Sequence, residues 1–359
     1  MIVPAFVRRF RLIGIVTVVA VYILIMVGGV VRSTGSGMGC PDWPKCFGTW
    51  IPPTQASQLP ANYKEIYTAQ RVAKNQKLAK TLQRLGFKQV AGEIFAHPTQ
   101  YIETDFNVTK TWIEYVNRLV GALIGVFVFL TVVFALPYWR RDRSVFWLSF
   151  WSFLLTGVQG YLGSLVVSTN LLPIMVTIHM GLALLIVALL IYAVIRSQRE
   201  TATSEPVPVA PAMPAWLWLI TLLTFAQIVL GTQVREEVDI VASTANYLNR
   251  TAWVEQLGNV FKVHRTFSAL LLLLNAYVAY RLYQLPSNQL RRMALLNMGL
   301  IGLEIVAGIT LAYFALPALV QPIHLTVATV LFGTQFLTIV LYSRATKFER
   351  QAAYPSVVA

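Results

Sequence analysis

Charge is scarce in this 359-residue chain: Asp, Glu, Lys and Arg make up 12% of it, about half the share in a soluble globular protein. That shortage excludes the usual water-facing surface of a cytosolic enzyme. Acidic residues are scarcer still, 15 against 29 basic, leaving a net charge of +14. Cysteine occurs twice and histidine four times. Two cysteines are too few for a disulfide-built scaffold or a four-thiolate zinc site. No Ser/His/Asp or Cys/His nucleophile set suggests itself. What fills the chain instead is apolar: 56% of residues are hydrophobic and the mean hydropathy is +0.61.

The apolar residues fall in eight separated runs, roughly 10–31, 111–136, 144–167, 174–195, 215–235, 261–283, 291–314 and 321–343. Each is long enough for the ~20 helical residues that cross a hydrocarbon core of ~30 Å. They are too continuous for alternating barrel strands, which leaves helices. Arg8, Arg9 and Arg11 precede the first run as they would precede a signal peptide. The run exceeds an h-region of ~7–15 residues and no small-x-small cleavage site follows, so it reads as a retained first span. The fold class expected is all-α integral membrane, with eight transmembrane helices.

The basic residues follow topology. Arg140, Arg141, Arg143, Arg196, Arg199, Arg281, Arg291, Arg292, Arg344, Lys347 and Arg350 all lie on one side if the N-terminus is inside, and the short 3–4 and 7–8 connections have no Lys or Arg. That is the positive-inside pattern, giving N-in and C-in; basicity here is an address, and no nucleic-acid partner is expected. Cys40 and Cys46 fall in the long outer loop 33–110. An exported location and the CPDWPKC spacing favour a disulfide over free thiols or a zinc site.

An internal repeat orders the polar residues. Gly28 stands four before Arg32, as Gly231 stands four before Arg235. Asn117-Arg118 in EYVNR matches His264-Arg265 in FKVHR. Gln159 is four before Gly163 and twenty before His179; Glu304 is four before Gly308 and twenty before His324. The expected division is a four-helix bundle at 1–196, a Pro-rich linker at 197–211, a second bundle at 212–345 and a tail at 346–359. An even number of spans between them makes the repeats parallel. The first unit carries an insertion, 85 residues from Arg32 to Asn117 against 29 from Arg235 to His264. Its Lys-, Gln- and Ala-rich part, 61–95, reads as one or two amphipathic helices, forming either a lid over the first bundle or a solvated spacer.

His97 sits in the polar loop and is given no role. His179, His264 and His324 are intramembrane, all about one to two turns below the outer surface on spans entering from that side. A lone membrane histidine is more often a packing residue, but His264 and His324 form a matched pair on the second and fourth helices of one bundle. Facing imidazoles there suit a haem iron held from both sides, with Arg265 and Arg235 as propionate partners. Two histidines without a carboxylate cluster make a bare zinc or copper site a poor alternative. The first bundle is unequal to the second. His179 matches His324, but Asn117 stands where His264 would be, and Glu114, three residues earlier, shares its face. An open site beside a carboxylate suits chemistry near a porphyrin, while a helix-starting acid is the plainer reading of Glu114. GSGMG follows a membrane helix and precedes CPDWP, so it is not a dinucleotide fingerprint. Gly121, Gly125, Gly157, Gly160 and Gly163 suit close approach of helices or of a flat ligand. Glu304 and Gln159 suit either bonding within the bundle or proton relay.

GGVVRSTGSGMGCPDWPKCFG, EYVNR and His-bearing helices in two four-helix halves together resemble the haem A synthase family of eight-span membrane enzymes, over nearly the whole chain. The resemblance implies oxidation of the C8 methyl of haem O to a formyl group, making haem A for terminal oxidases. It implies haem b in the C-terminal half on His264 and His324, and the substrate haem in the N-terminal half near His179, with Arg32, Asn117 and Arg118 around it. Glu114 would be the catalytic acid and Cys40–Cys46 the loop disulfide. Expected partners are haem O synthase, an electron donor and membrane lipid. A bacterial plasma membrane location is expected, haem sites toward the outer face. Many members carry His where this chain has Asn117. The rival readings are a b-type cytochrome that relays electrons without modifying haem, and a haem carrier or assembly factor.

Overall fold

The computed structural model describes residues 3–94, 102–199, 201, 205–245 and 247–353, with the backbone alone for 348–353. Among them lie ten α-helices and no strand: α1 (Ala5–Ser33), α2 (Tyr63–Arg84), α3 (Lys88–Glu93), α4 (Val108–Ala135), α5 (Arg143–Ser168), α6 (Pro173–Arg196), α7 (Met213–Thr244), α8 (Asn259–Tyr283), α9 (Asn288–Tyr313) and α10 (Val320–Ala353). All except α2 and α3 are long and apolar enough to cross a membrane. The eight expected spans are therefore present. Their starts carry recognisable signals. Asn107, Asp142 and Ser287 accept hydrogen bonds from the amides of Lys110, Ser144 and Leu290, and proline stands in the first turn of α6 and α7.

Two ends differ from expectation. α7 runs on to Thr244, past the apolar run that ends near residue 235. Its extension is charged on one side but buries Val238 and Ala242 against Trp253, Leu257 and Leu316, so helix continues where hydropathy falls. α10 likewise continues to Ala353.

Helix packing makes two closed rings. In the first, α1 packs on α4, α4 on α5, α5 on α6 and α6 back on α1; in the second, α7, α8, α9 and α10 close in the same order. The rings meet where α10 lies against α1 and α6, and α6 against α7. α10 is accordingly the most buried span. Close approach at this seam depends on Gly29, where a Cβ would fall 2.9 Å from the Pro322 side chain and 3.1 Å from its Cα. Thr177 and Thr232 share a hydroxyl hydrogen bond of 2.9 Å between α6 and α7. Outward faces carry exposed Leu222, Leu273, Val306 and similar residues, a surface suited to hydrocarbon.

Buried polar groups in the rings are satisfied in more than one way. In the first, Thr131, Ser149 and Ser152 bond their own helix backbone, which satisfies them locally. In the second, amides bond across helices: Gln335 Nε2 donates to Asn275 Oδ1 at 2.9 Å, and Asn297 Nδ2 to Thr338 Oγ1 at 3.3 Å.

The segment 61–94 is docked helix rather than solvated spacer. Asn75 donates to the Ser168 carbonyl at 2.8 Å and Lys74 to that of Ser164 at 3.4 Å. Val72, Ala79, Leu82, Ala91 and Ile94 pack around Leu172, so α2 and α3 cover the ends of α5 and α6. A buried ion pair, Arg71 to Glu103 at 2.6 Å, fixes the return of the chain. Burial pushes the Glu103 carboxyl above its ordinary range, against the pull of Arg71.

Candidate functional site

His264 on α8 and His324 on α10 face each other inside the second ring, with ring centroids 6.4 Å apart and planes at 79°. Two metal–nitrogen bonds of about 2 Å each, with roughly 1 Å from each ring nitrogen to its ring centre, would set the centroids about 6 Å apart. The observed spacing is thus that of two imidazoles on opposite sides of one iron. A glycine stands against each imidazole ring. A Cβ on Gly231 of α7 would lie 3.4 Å from His264 Cε1, and one on Gly308 of α9 would lie 3.6 Å from His324 Cε1. Nδ1 of both rings is buried without a hydrogen-bond partner. Among the described residues no group of three or more His, Cys, Asp or Glu forms that could hold a metal ion, so an iron here would need in-plane ligands of its own, as a porphyrin provides. The residues fit a haem.

Each histidine has a polar residue and a glycine one turn apart on the neighbouring helix. Gln227 on α7 donates to the His264 carbonyl at 2.9 Å, and Gln159 on α5 to that of His179 at 2.7 Å. Gly163 stands against His179 as Gly308 does against His324, at 3.6 Å from Cε1 to a Cβ placed there. Glu304 on α9 differs, since its Oε2 lies 3.0 Å from the ring nitrogen His324 Nδ1. The fourth corner, α1 with α4, breaks the pattern. Leu24 stands four before Gly28, a Cβ on Gly28 would meet nothing within 4 Å, and the residue matching His264 in the repeat is Asn117, whose Oδ1 is buried and without a hydrogen-bond partner. Gln227 was missed from sequence, although it precedes Gly231 by the same interval as Gln159 precedes Gly163.

Glu114 and Arg118 do something the sequence did not announce. Cys40 and Cys46 are joined in a disulfide, and this loop is clamped onto α4. The Cys40 amide donates to Glu114 Oε2 at 2.9 Å, and Arg118 Nη2 donates to Glu114 Oε1 at 2.5 Å. Arg118 also donates to the carbonyls of Asp42 at 2.7 Å, Lys45 at 2.8 Å and Cys40 at 3.2 Å. Asp42 closes the loop from inside by accepting the amides of Phe47 and Gly48. Gly39 makes this possible: a Cβ there would meet the Lys110 carbonyl and the Thr111 amide at less than 3 Å. CPDWPKC and EYVNR are therefore one structural unit. Arg118 is engaged with the loop, and both Glu114 oxygens are occupied at a site only 2% exposed.

The arginines at the ring mouths are shared. Arg32 of α1 reaches Asp239 at 3.1 Å and Arg235 reaches the same carboxylate at 2.6 Å; Arg235 also bonds Gln321. One acid on α7 thus joins an arginine from each ring. Asp239 lies four residues after Arg235, a helical pairing interval, but its contact with Arg32 spans most of the chain. Arg265 is exposed and stacked over Phe261 at 5.7 Å. His97 lies outside the described residues.

Fold and site define a class: a multi-span helical membrane protein with a histidine pair facing across a four-helix ring. Comparison with known proteins narrows it. Residues 11–84 and 80–336 match the COX15-CtaA family, described as cytochrome oxidase assembly protein, and the chain belongs to that family. It is 26% identical over 332 residues to the heme A synthase of Shewanella oneidensis, covering 84% of this chain and 87% of that one. It is 21% identical over 349 residues to the heme A synthase of Alkalihalophilus pseudofirmus, covering 93% and 98%. A shorter match, 29% over 222 residues, covers 59% of this chain and 54% of the heme A synthase of Nitrosomonas eutropha.

Proposed function

We propose that this protein oxidises haem O to haem A, converting the C8 methyl to a formyl group by removal of two hydrogens and addition of one oxygen. The observation that carries the reading is the inequality of two similarly built rings. The second ring has a complete imidazole pair at 6.4 Å, suited to a resident haem b whose chemistry, when bound, is one-electron transfer. The first has His179 with its Gln159 and Gly163 neighbours, but Asn117 in place of a second imidazole. A substrate haem fits there, held from one side.

The chain's own residues have separable tasks in this reading. His264 and His324 hold the resident group and Arg265 meets its propionates. His179 orients the substrate. Glu114, with one oxygen on Arg118 and the other on the Cys40 amide, is the catalytic acid, held in place beside the first ring. Arg118 and Arg32 shape the mouth through the loop and Asp239. A haem O synthase supplies the substrate and a separate donor or acceptor exchanges electrons, in a bacterial plasma membrane with the sites toward the outer face. The parallel repeat is supported by the identical order of ring closure in both halves.

Asn117 also favours a second reading, a b-type cytochrome or assembly factor that leaves haem unchanged. Co-expression with a haem O synthase in a host lacking haem A, followed by extraction and mass identification of the haems, distinguishes them. Haem A accumulation is expected, and Glu114→Ala should stop it while leaving the haem b spectrum. Haem b together with unaltered haem O in the wild type would overturn the enzyme reading.

A further inference from the structure

Among the described residues, Glu304 is the one acidic side chain that reaches an imidazole ring of the candidate site. It lies within a membrane-spanning helix, where a carboxyl is costly and needs a purpose. Its relatives in the pattern, Gln159 and Gln227, turn their amides to the backbone carbonyls of His179 and His264. A backbone contact positions a helix but leaves the ring electronically untouched. Glu304 instead approaches the ring: Oε2 is 3.0 Å from His324 Nδ1. The contact is not aligned as a hydrogen bond, and both Nδ1 and the other oxygen, Oε1, are buried without partners. The 3.0 Å separation is already within hydrogen-bond distance. His264 Nδ1 also lacks a well-aligned hydrogen bond, and the group beside that ring is the Gln227 backbone, an uncharged amide in place of a carboxyl.

Resting on the reading of His264 and His324 as haem ligands, we infer that Glu304 is a positioning residue for His324. By accepting a hydrogen bond from Nδ1–H it fixes the tautomer that presents Nε2 to iron, and makes that one ligand the more basic of the pair. An acceptor of this kind on a ligating histidine holds the ring and raises its basicity. A more basic ligand favours the oxidised iron, so the resident haem is held at a lower potential than two neutral, unassisted imidazoles would give. The assisted ligand sits on α10, the helix that also packs against α1 and α6 of the first ring.

The test is redox potentiometry with low-temperature electron paramagnetic resonance on purified, haem-loaded full-length protein. Variants are Glu304→Gln and Glu304→Asp, with Gln227→Leu as comparison. A positive shift of the haem b midpoint potential in Glu304→Gln is expected, with a smaller one in Glu304→Asp, which keeps the carboxyl on a shorter arm. Gln227→Leu should shift it less than Glu304→Gln does. Reduced haem occupancy in folded Glu304→Gln protein equally supports the assignment. A midpoint potential and occupancy equal to wild type in both Glu304 variants would overturn it. Wild-type protein without any bis-histidine haem signal would instead overturn the ligand assignment beneath it.

Discussion

His264 and His324 are the residues on which most turns, and their roles separate cleanly from that of His179. Replacing either by alanine removes one of two axial positions, so His264→Ala or His324→Ala should abolish the low-spin haem b spectrum of the purified protein. His179→Ala should leave that spectrum intact, because its ring lies in the other bundle. Asn117→His should add a second low-spin component when haem is in excess. An unchanged spectrum in His264→Ala would show that the facing pair is packing alone. At this scale the sequence picked out the histidines together with Glu114 and Glu304, but not what the two acids bond to. Three intramembrane histidines in few polar surroundings stand out at once. The engagement of Glu114 with Cys40 does not, since a residue 74 positions away supplies the partner and no helical periodicity reports it.

At the scale of elements, α2 shows what holds an inserted segment in place. Its polar anchors include Asn75 on Ser168, Lys74 on Ser164 and the Arg71–Glu103 pair, 2% and 4% exposed. Removing one member of a buried pair costs about 3–5 kcal/mol, mostly from the charge left behind. Arg71→Ala should therefore release α2, read as faster limited proteolysis within 63–94 while the spans stay protected. Arg71→Ala protein cleaved no faster than wild type would show that the apolar contacts around Leu172 suffice. The spans themselves were legible because each is one long apolar run. The α7 extension was not: Arg235, Glu236, Glu237 and Asp239 lower the hydropathy of a stretch whose Val238 and Ala242 still find an apolar wall. The docking of α2 was also beyond reach, because an alanine- and lysine-rich helix suits solvent and protein alike.

For the whole molecule, the joint between the rings is set by shape more than by charge. Asp239 bonds Arg32 and Arg235 together, yet its side chain is 41% exposed, and exposed pairs contribute about 0–1 kcal/mol. A double-mutant cycle between Arg32→Ala and Asp239→Ala should return a coupling below about 1 kcal/mol in detergent-solubilised thermal unfolding. Gly29 against Pro322 should matter more, since any side chain there pushes α1 off α10. A coupling of several kcal/mol would reverse that ranking. The two-ring arrangement was foreshadowed by the order of Gly, Arg, Asn or His, and Gln or Glu along the chain. What could not be read was that α10 would serve both rings, because adjacency between distant helices leaves no mark on the hydropathy of either.

The missing imidazole at Asn117 also bears on time. Under the proposed function one haem must stay through many cycles while another enters, reacts and departs. A group fastened through two iron–nitrogen bonds leaves only when both have opened, whereas one fastened through a single bond is released by one rupture. Departure of product is often the slowest event in a turnover. The short amide and the aliphatic Leu24 at that corner thus make the first ring a berth for brief stays, and the second a permanent mooring.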